Sequence, residues 1–259
     1  MSHVVDEFWD RSKLKTSASD PNKYSIGRIG DRNVVLVQPP GTGKVNAAIA
    51  AAHLRVNFPS LELVLVTGVC GGVPATPSGE EISLGDVVIS NDIVQHDFGR
   101  RGSNGFEVKD SPHERLGTQP MRVRNFVTLF EANRPRERLE DRAAVILGDL
   151  QSRNKAYEPV AKERDNRSHR PVVFVGRVGS GDTIRSAAER DTVAKSHDII
   201  AFEREGAGIW DAVPCIIVKG VCDDFDGRKS KVPQHFAAAA AAAVSRALIE
   251  KYPTTDRPK

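Results

Sequence analysis

Short apolar runs rich in β-branched residues alternate with stretches of helical composition along most of the chain. Residues 24–29 and 33–38 are two strand-like runs, and Gly30 and Asp31 between them predict a hairpin. Pro39, Pro40 and Gly41 end the second run, and the alanine-rich stretch 45–58 predicts a helix stopped by Pro59. LELVLV (61–66) is continuously apolar, the pattern of a strand covered on both faces, and it ends in Thr67-Gly68-Val69-Cys70-Gly71-Gly72. DVVIS (86–90) predicts another short buried strand. Between 99 and 170 Arg, Glu and Asp are dense and no strand is predicted; residues 121–164 read as two charged surface helices. Strands follow at 172–178, 197–203 and 215–222, with helices over 184–196 and 206–212. A C-terminal helix spans 234–252, and its FAAAAAAAV stretch predicts close packing. The first 23 residues are polar and lack a period. Alternation without repeat or linker predicts one α/β domain over residues 1–259 with a mostly parallel or mixed sheet.

Charge removes several classes of function. Lys and Arg number 37 and Asp and Glu 34, a net charge of +3, too balanced for a protein whose main work is to neutralise a nucleic-acid backbone. No apolar run approaches the roughly 18–20 residues needed to cross a bilayer. Cys70, Cys215 and Cys222 form no CxxC pair or disulfide framework, so a reducing, cytoplasmic setting is expected. The N-terminus carries charges where a signal peptide needs an apolar core. A small-molecule partner is therefore expected, with neither a nucleic-acid polymer nor a membrane.

Gly41-Thr42-Gly43-Lys44 has the look of a phosphate-binding P-loop, but Gln38 stands where the first glycine is required and Val45 follows the lysine. The glycines still predict a tight turn with free N–H groups that opens a helix. In open α/β sheets ligands gather at the carboxyl ends of strands. Four segments sit at such ends: Thr67 to Gly72, Gly179-Ser180-Gly181-Asp182, the run FEREGAG (202–208) and Cys222-Asp223-Asp224-Phe225-Asp226. Structural turns account equally well for the first two. Glu203 and Glu205 at the tip of an apolar strand need a partner if buried, and a sugar diol offers one; helix capping by Glu205 is the alternative. Three carboxylates within four residues raise one another's pKa toward the range of a proton donor, the alternatives being a solvated acidic turn or a divalent-ion site. No histidine cluster or EF-hand spacing accompanies them, so no metal is expected.

The ordered set GTGKVNAA (41–48), TGVCGG (67–72), SLGDVVIS (83–90), SGDT (180–183), FEREGAG (202–208) and VCDDFD (221–226) resembles the purine nucleoside phosphorylase and methylthioadenosine nucleosidase superfamily. The resemblance covers residues 24–252 and is nearest to the nucleoside-phosphorylase-like domains of fungal proteins. It implies a three-layer α/β/α architecture around a mixed, partly barrel-like sheet. It also implies cleavage of the N-glycosidic bond of a purine nucleoside or nucleotide, no cofactor beyond phosphate as a possible co-substrate, and a homo-oligomer. Position by position, Glu205 matches the glutamate that binds the ribose 2′ and 3′ hydroxyls and Asp223 the aspartate that protonates the purine at N7. Phe202 and Ile184 fall where the family lines the base pocket. Val69, Cys70 and Gly71 fall on the loop beneath base and sugar. Asp226, Ser180 and Asp182 are supporting positions. Arg204 replaces a methionine common in the family; it either pairs with Glu205 or Glu203 or reaches a 5′-phosphate.

Two departures shape the expectation. Phosphorylases carry an arginine where this chain has Val66, which favours hydrolysis over phosphorolysis. Family members also begin with a buried strand whose following loop supplies phosphate ligands or a water-activating glutamate. Here no apolar strand precedes what reads as the next helix, around Asp6-Glu7-Phe8-Trp9, and Glu7 sits in another element. A non-catalytic nucleoside or nucleotide sensor is the alternative of a different class.

Overall fold

The structure, a computed structural model, describes residues 1–10, 20–103, 105–159, 170–183, 187–223 and 234–253. Strands β1 (Glu7–Phe8), β2 (Lys23–Ile29) and β3 (Arg32–Gln38) form a small antiparallel sheet. The β2–β3 turn is the expected hairpin, with Gly30 at a φ of 58°. The segment around Asp6 to Trp9 is not the expected helix. It pairs with β2 instead, because Gly27 leaves room: a Cβ there would lie 2.2 Å from the Glu7 carbonyl oxygen.

Helix α1 (Lys44–Asn57) leads to β4 (Val64–Gly72) and β5 (Val87–Gln95). The hairpin β6 (Gly99–Gly102) and β7 (Gly105–Val108) was not legible, since GRRG carries no apolar alternation. Helices α2 (Met121–Thr128) and α3 (Asn133–Arg153) are the two charged helices expected there. The chain continues through β8 (Val173–Ser180), α4 (Ala187–His197), β9 (Ile199–Glu203), α5 (Gly206–Ile209), β10 (Cys215–Asp223) and α6 (Gln234–Lys251).

Five strands close into a barrel in the order β10, β4, β9, β8, β5. β10 with β4, β5 with β8 and β8 with β9 are parallel; β4 with β9 and β5 with β10 are antiparallel. Closure pairs every strand on both sides and leaves no open edge. The barrel strands read as unbroken apolar runs because both faces are covered. In β10, Ile216 and Val218 pack in one core cluster with α2, α3 and α6, whereas Cys215 and Ile217 pack in another with Ala51 of α1 and Ile209 of α5. A third cluster joins β8, β9 and Ala194 of α4. The sheet is thus a middle layer between helices.

The alanine run of α6 lies directly on β10. A Cβ at Gly220 would sit 2.0 Å from the Ala237 carbonyl oxygen, so the alanines set how near helix and strand come. Gly220→Ala is expected to cost about 1–3 kcal/mol of stability through overpacking. A calorimetric melting temperature unchanged from the parent would contradict that contact.

β4 extends further than its apolar run suggested. Residues 67–72 are strand, paired with β10 through Gly71 and with β9 at Gly71 and Gly72. The expected loop is an unusually glycine-rich strand end, and a Cβ at Gly72 would meet Val221 at 2.8 Å.

Candidate functional site

The register of the barrel brings the sequence motifs together. Asp223 is opposite Gly71, Gly71 opposite Phe202, and Phe202 opposite Gly179. Glu203 is opposite Ser180, which is opposite Gln95. These registers set the carboxyl ends of β4, β8, β9 and β10 side by side, although β4 and β10 run opposite to β5, β8 and β9.

At the centre lies an ion cluster. The Lys219 Nζ is 2.7 Å from Glu205 Oε2 and 3.3 Å from Glu203 Oε2. The side chains of Lys219, Glu203 and Glu205 are 4%, 0% and 20% exposed. Lys219 reaches them across Gly68, its register partner on β4, where a Cβ would lie 3.3 Å from Nζ. Glu203 also accepts hydrogen bonds from the N–H groups of Gly206 (2.9 Å) and Glu205 (3.0 Å). Glu203 thus caps α5, and the Glu205 side chain makes no cap bond, which corrects the capping alternative. Glu205 Oε1 instead accepts from the Gly43 N–H at 3.2 Å.

These contacts fix charge states. Burial alone pushes the Glu205 carboxyl up, but the Lys219 ammonium and the N–H groups of Gly43 and Arg204 hold it below the usual carboxylate range. Burial alone pushes Lys219 down, but Glu203 and Glu205 together hold it above its ordinary value. The depressed Glu205 pKa gives a signed expectation. Its contribution to stability is fully present above the ordinary glutamate value of about 4.3 and is lost as pH falls through the lower folded value. The urea midpoint of the parent is expected to fall more steeply with acidification below about pH 4.3 than that of Glu205→Gln. Parallel curves would contradict the pairing.

The turn Gly41-Thr42-Gly43-Lys44 is part of this site, but the N–H groups of Gly43 and Lys44 are not free. Gly43, at a φ of 96°, donates to Glu205, and the Lys44 N–H donates to Asp182 at 3.1 Å. The Lys44 ammonium bonds both oxygens of Asp97, at 2.7 and 2.6 Å. Asp97 in turn accepts from the Asp182 N–H at 2.9 Å. Burial opposes ionisation of Asp97, yet Lys44 and the Asp182 N–H keep its carboxyl low. Gly208 lets α1 and α5 touch, since a Cβ there would lie 2.0 Å from the Lys44 carbonyl oxygen.

The remaining residues fall as follows. Arg204 is exposed and donates to the Asp182 carbonyl at 3.1 Å. It does not pair with Glu203 or Glu205, because Lys219 holds both. Ser180 is fully buried, and its hydroxyl accepts from the Ala207 N–H at 2.8 Å, which ties α5 to β8. Phe202 is buried edge-on to His96, with ring centroids 5.3 Å apart. Cys70 is buried and Val69 half-buried on β4, and Gly71 sits between Asp223 and Phe202. Asp223 is exposed at the end of β10. Ile184 and Asp226 lie outside the described residues. Glu7 is on β1, paired with Arg28 at 3.3 Å. Lys219, Lys44 and Asp97 were missed in the sequence. The signal for Lys219 was there, as the single charge within the apolar run CIIVKGVC.

The sequence profile of the phosphorylase superfamily matches residues 10–252. A nucleotide-binding leucine-rich repeat (NLR)-like protein of Hyaloscypha variabilis is 30% identical over 256 residues, 89% of this chain. The chain spans 26% of that relative's length. A 5′-methylthioadenosine/S-adenosylhomocysteine nucleosidase of Geobacillus is 28% identical over 217 residues, 81% of this chain and 75% of that protein. Among solved structures, S-adenosylhomocysteine nucleosidase from Streptococcus pyogenes, in complex with 5-methylthiotubericidin, aligns with a TM-score of 0.63 at 21% identity. That alignment covers 98% of this chain and 91% of the other. The nucleosidase from Neisseria meningitidis, in complex with methylthio-immucillin-A, gives 0.62 at 21% identity and covers 96% and 92%. The fold is therefore the three-layer α/β/α arrangement around a mixed, closed sheet that the resemblance implied.

Proposed function

Because the chain belongs to the phosphorylase superfamily, we propose that it cleaves the N-glycosidic bond of a purine nucleoside or nucleotide with water as the acceptor. The observation that carries this reading is Glu205: a largely buried carboxylate, kept ionised beside the strand ends by Lys219 and the Gly43 N–H. Such a group accepts two hydroxyl hydrogen bonds from a ribose diol and stabilises positive charge on the sugar.

In the proposed reaction the bond from C1′ to the purine nitrogen breaks, and its electron pair passes into the base. Asp223 delivers a proton to N7, and water adds to C1′ and loses a proton to bulk solvent, from which the Asp223 carboxylate is reprotonated. No cofactor enters this scheme. Val66 in place of a phosphate-binding arginine favours water, as do relatives named as nucleosidases. Arg204 supports a 5′-nucleotide substrate. Its guanidinium, one residue from Glu205, is exposed and bonded to a main-chain carbonyl rather than to a carboxylate.

A panel of adenosine, inosine and their 5′-monophosphates, incubated without phosphate, is expected to yield free base and free sugar or sugar 5-phosphate. Strict dependence on phosphate with a sugar 1-phosphate product would establish phosphorolysis instead. The similarity to an NLR-like protein favours one further reading, a nucleoside- or nucleotide-binding sensor. Calorimetric binding with no base release, even at high protein concentration, would support the sensor and overturn the enzyme.

A further inference from the structure

A groove of about 300 Å³ opens between α2, the short turn Leu129–Glu131 that follows it, the start of α3 and the end of α6. Its floor is apolar. Phe126 and Phe130 are buried edge to face, with ring centroids 5.2 Å apart, and Phe126 meets Tyr252 in the same way at 5.0 Å. Leu129 stands at the wall, 53% exposed. The rim is cationic: Arg134 and Arg138 come from α3 and Lys251 from the end of α6, all exposed. No residue of the ion cluster lines this groove.

The rim charges are uncompensated where their neighbours are not. Arg122 of α2 pairs with Glu62 at 3.2 Å, and Arg142 of α3 and Arg246 of α6 share Glu250, at 2.8 and 2.9 Å. Among the described residues no carboxylate forms an ion pair with Arg134, Arg138 or Lys251. Arg134 and Arg138 stand one turn apart on α3, a spacing at which like charges destabilise a helix. Arg134 also lies in the first turn of α3, which carries no acid, so it adds to the positive end of the helix dipole instead of opposing it. Residues 254–259, TTDRPK, carry two cations and one acid, so they do not supply the missing charge.

We propose that this groove docks an acidic peptide segment of a partner protein. The segment seats one apolar or aromatic side chain over Phe126 and Phe130. Its carboxylates lie against Arg134 and Arg138 on one side and Lys251 on the other. Burial of the anchor supplies affinity, and the charges fix orientation and speed encounter. A small anion alone leaves the apolar floor and Leu129 in water, so the floor argues for a peptide over a free ion. The floor is a recess rather than a protruding apolar face, which suits one side chain and not a bilayer surface.

Selection of a displayed random-peptide library on the full chain, counter-selected on R134E/R138E, is expected to enrich sequences with one apolar or aromatic residue between acids. A synthetic peptide so selected is expected to bind the parent, to weaken as salt rises, and to bind R134E/R138E about tenfold more weakly or worse. Its affinity for L129A is expected to fall as well. R153E/K195E changes the net charge equally, at the far end of α3 and on α4, and is expected to bind as the parent does. R134E/R138E is expected to melt no lower than the parent, since acids in the first turn favour a helix. If it unfolds, R134Q/R138Q takes its place in the binding comparison. No enrichment over the counter-selected variant overturns the proposal. An equal loss of binding in R153E/K195E overturns it too, since the effect is then one of net charge. So does binding to phosphatidylserine vesicles without binding of any selected peptide, the mark of a membrane-facing surface.

Discussion

Replacing Lys219 by methionine is expected to lower the unfolding free energy by about 3–5 kcal/mol. The substitution keeps the length and much of the volume of the side chain but removes the one cation that, among the described residues, pairs with the carboxylates of Glu203 and Glu205. Breaking a buried pair by deleting one partner costs this much because the other charge is left uncompensated. For a domain of this size each kcal/mol shifts the melting temperature by about 2–4 °C, so a fall of roughly 6–20 °C is expected. Neutralising the carboxylates together with the lysine separates charge from packing. K219M/E203Q/E205Q is expected to regain most of the lost stability, whereas a simple packing defect would persist. Calorimetry on the three proteins decides it; a K219M melt within a degree or two of the parent would show that the cluster does not hold the strand ends together.

Asp223→Asn is expected to reduce base release by about two to three orders of magnitude and to leave melting nearly unchanged. The magnitude follows from loss of one donor to charge developing on the leaving base, about 3–4 kcal/mol in comparable sites. The unchanged melt follows from exposure: Asp223 lies at the outer end of β10, where isosteric surface changes are worth within about 0.5 kcal/mol. The readout is the single-turnover rate beside a thermal melt. Activity within a factor of two or three of the parent would remove Asp223 from the role of acid. Loss of activity together with collapse of the fold would show a structural role instead. The contrast with K219M, whose expected loss is one of stability, separates a group that touches substrate from one that supports the site.

The elements legible in the sequence were those whose local pattern is the same before and after folding. β8, β9 and β10 are buried on both faces and so appear as unbroken apolar runs, and α6 declares itself by its alanines. What escaped was set by distant contacts. β4 continues through Thr67 to Gly72 because β9 and β10 need small residues opposite them, and glycines read locally as a turn. The segment at Asp6 to Trp9 pairs with β2 because Gly27 makes room, which no local pattern announces. The site was legible in its carboxylates and not in their cation. Lys219 is fourteen residues from Glu205 in sequence and 2.7 Å away in space. The same limit made Arg204 look like the natural partner of its neighbours, although a lysine on β10, reaching across β4, already holds them.

The cluster of Glu203, Lys219 and Glu205 has an arithmetic of its own. Two carboxylates and one ammonium leave a single negative charge, fixed in place before any ligand arrives and poorly screened by water. Nothing there must rotate or change protonation for that charge to act, so no reorganisation opposes its attraction for a cation forming beside it. It repels an anion brought to the same spot just as readily. A neutral acceptor such as water approaches without that penalty, and a phosphate dianion does not. On the proposed hydrolytic reading, the resting electrostatics of the barrel end thus favour water over phosphate as the acceptor.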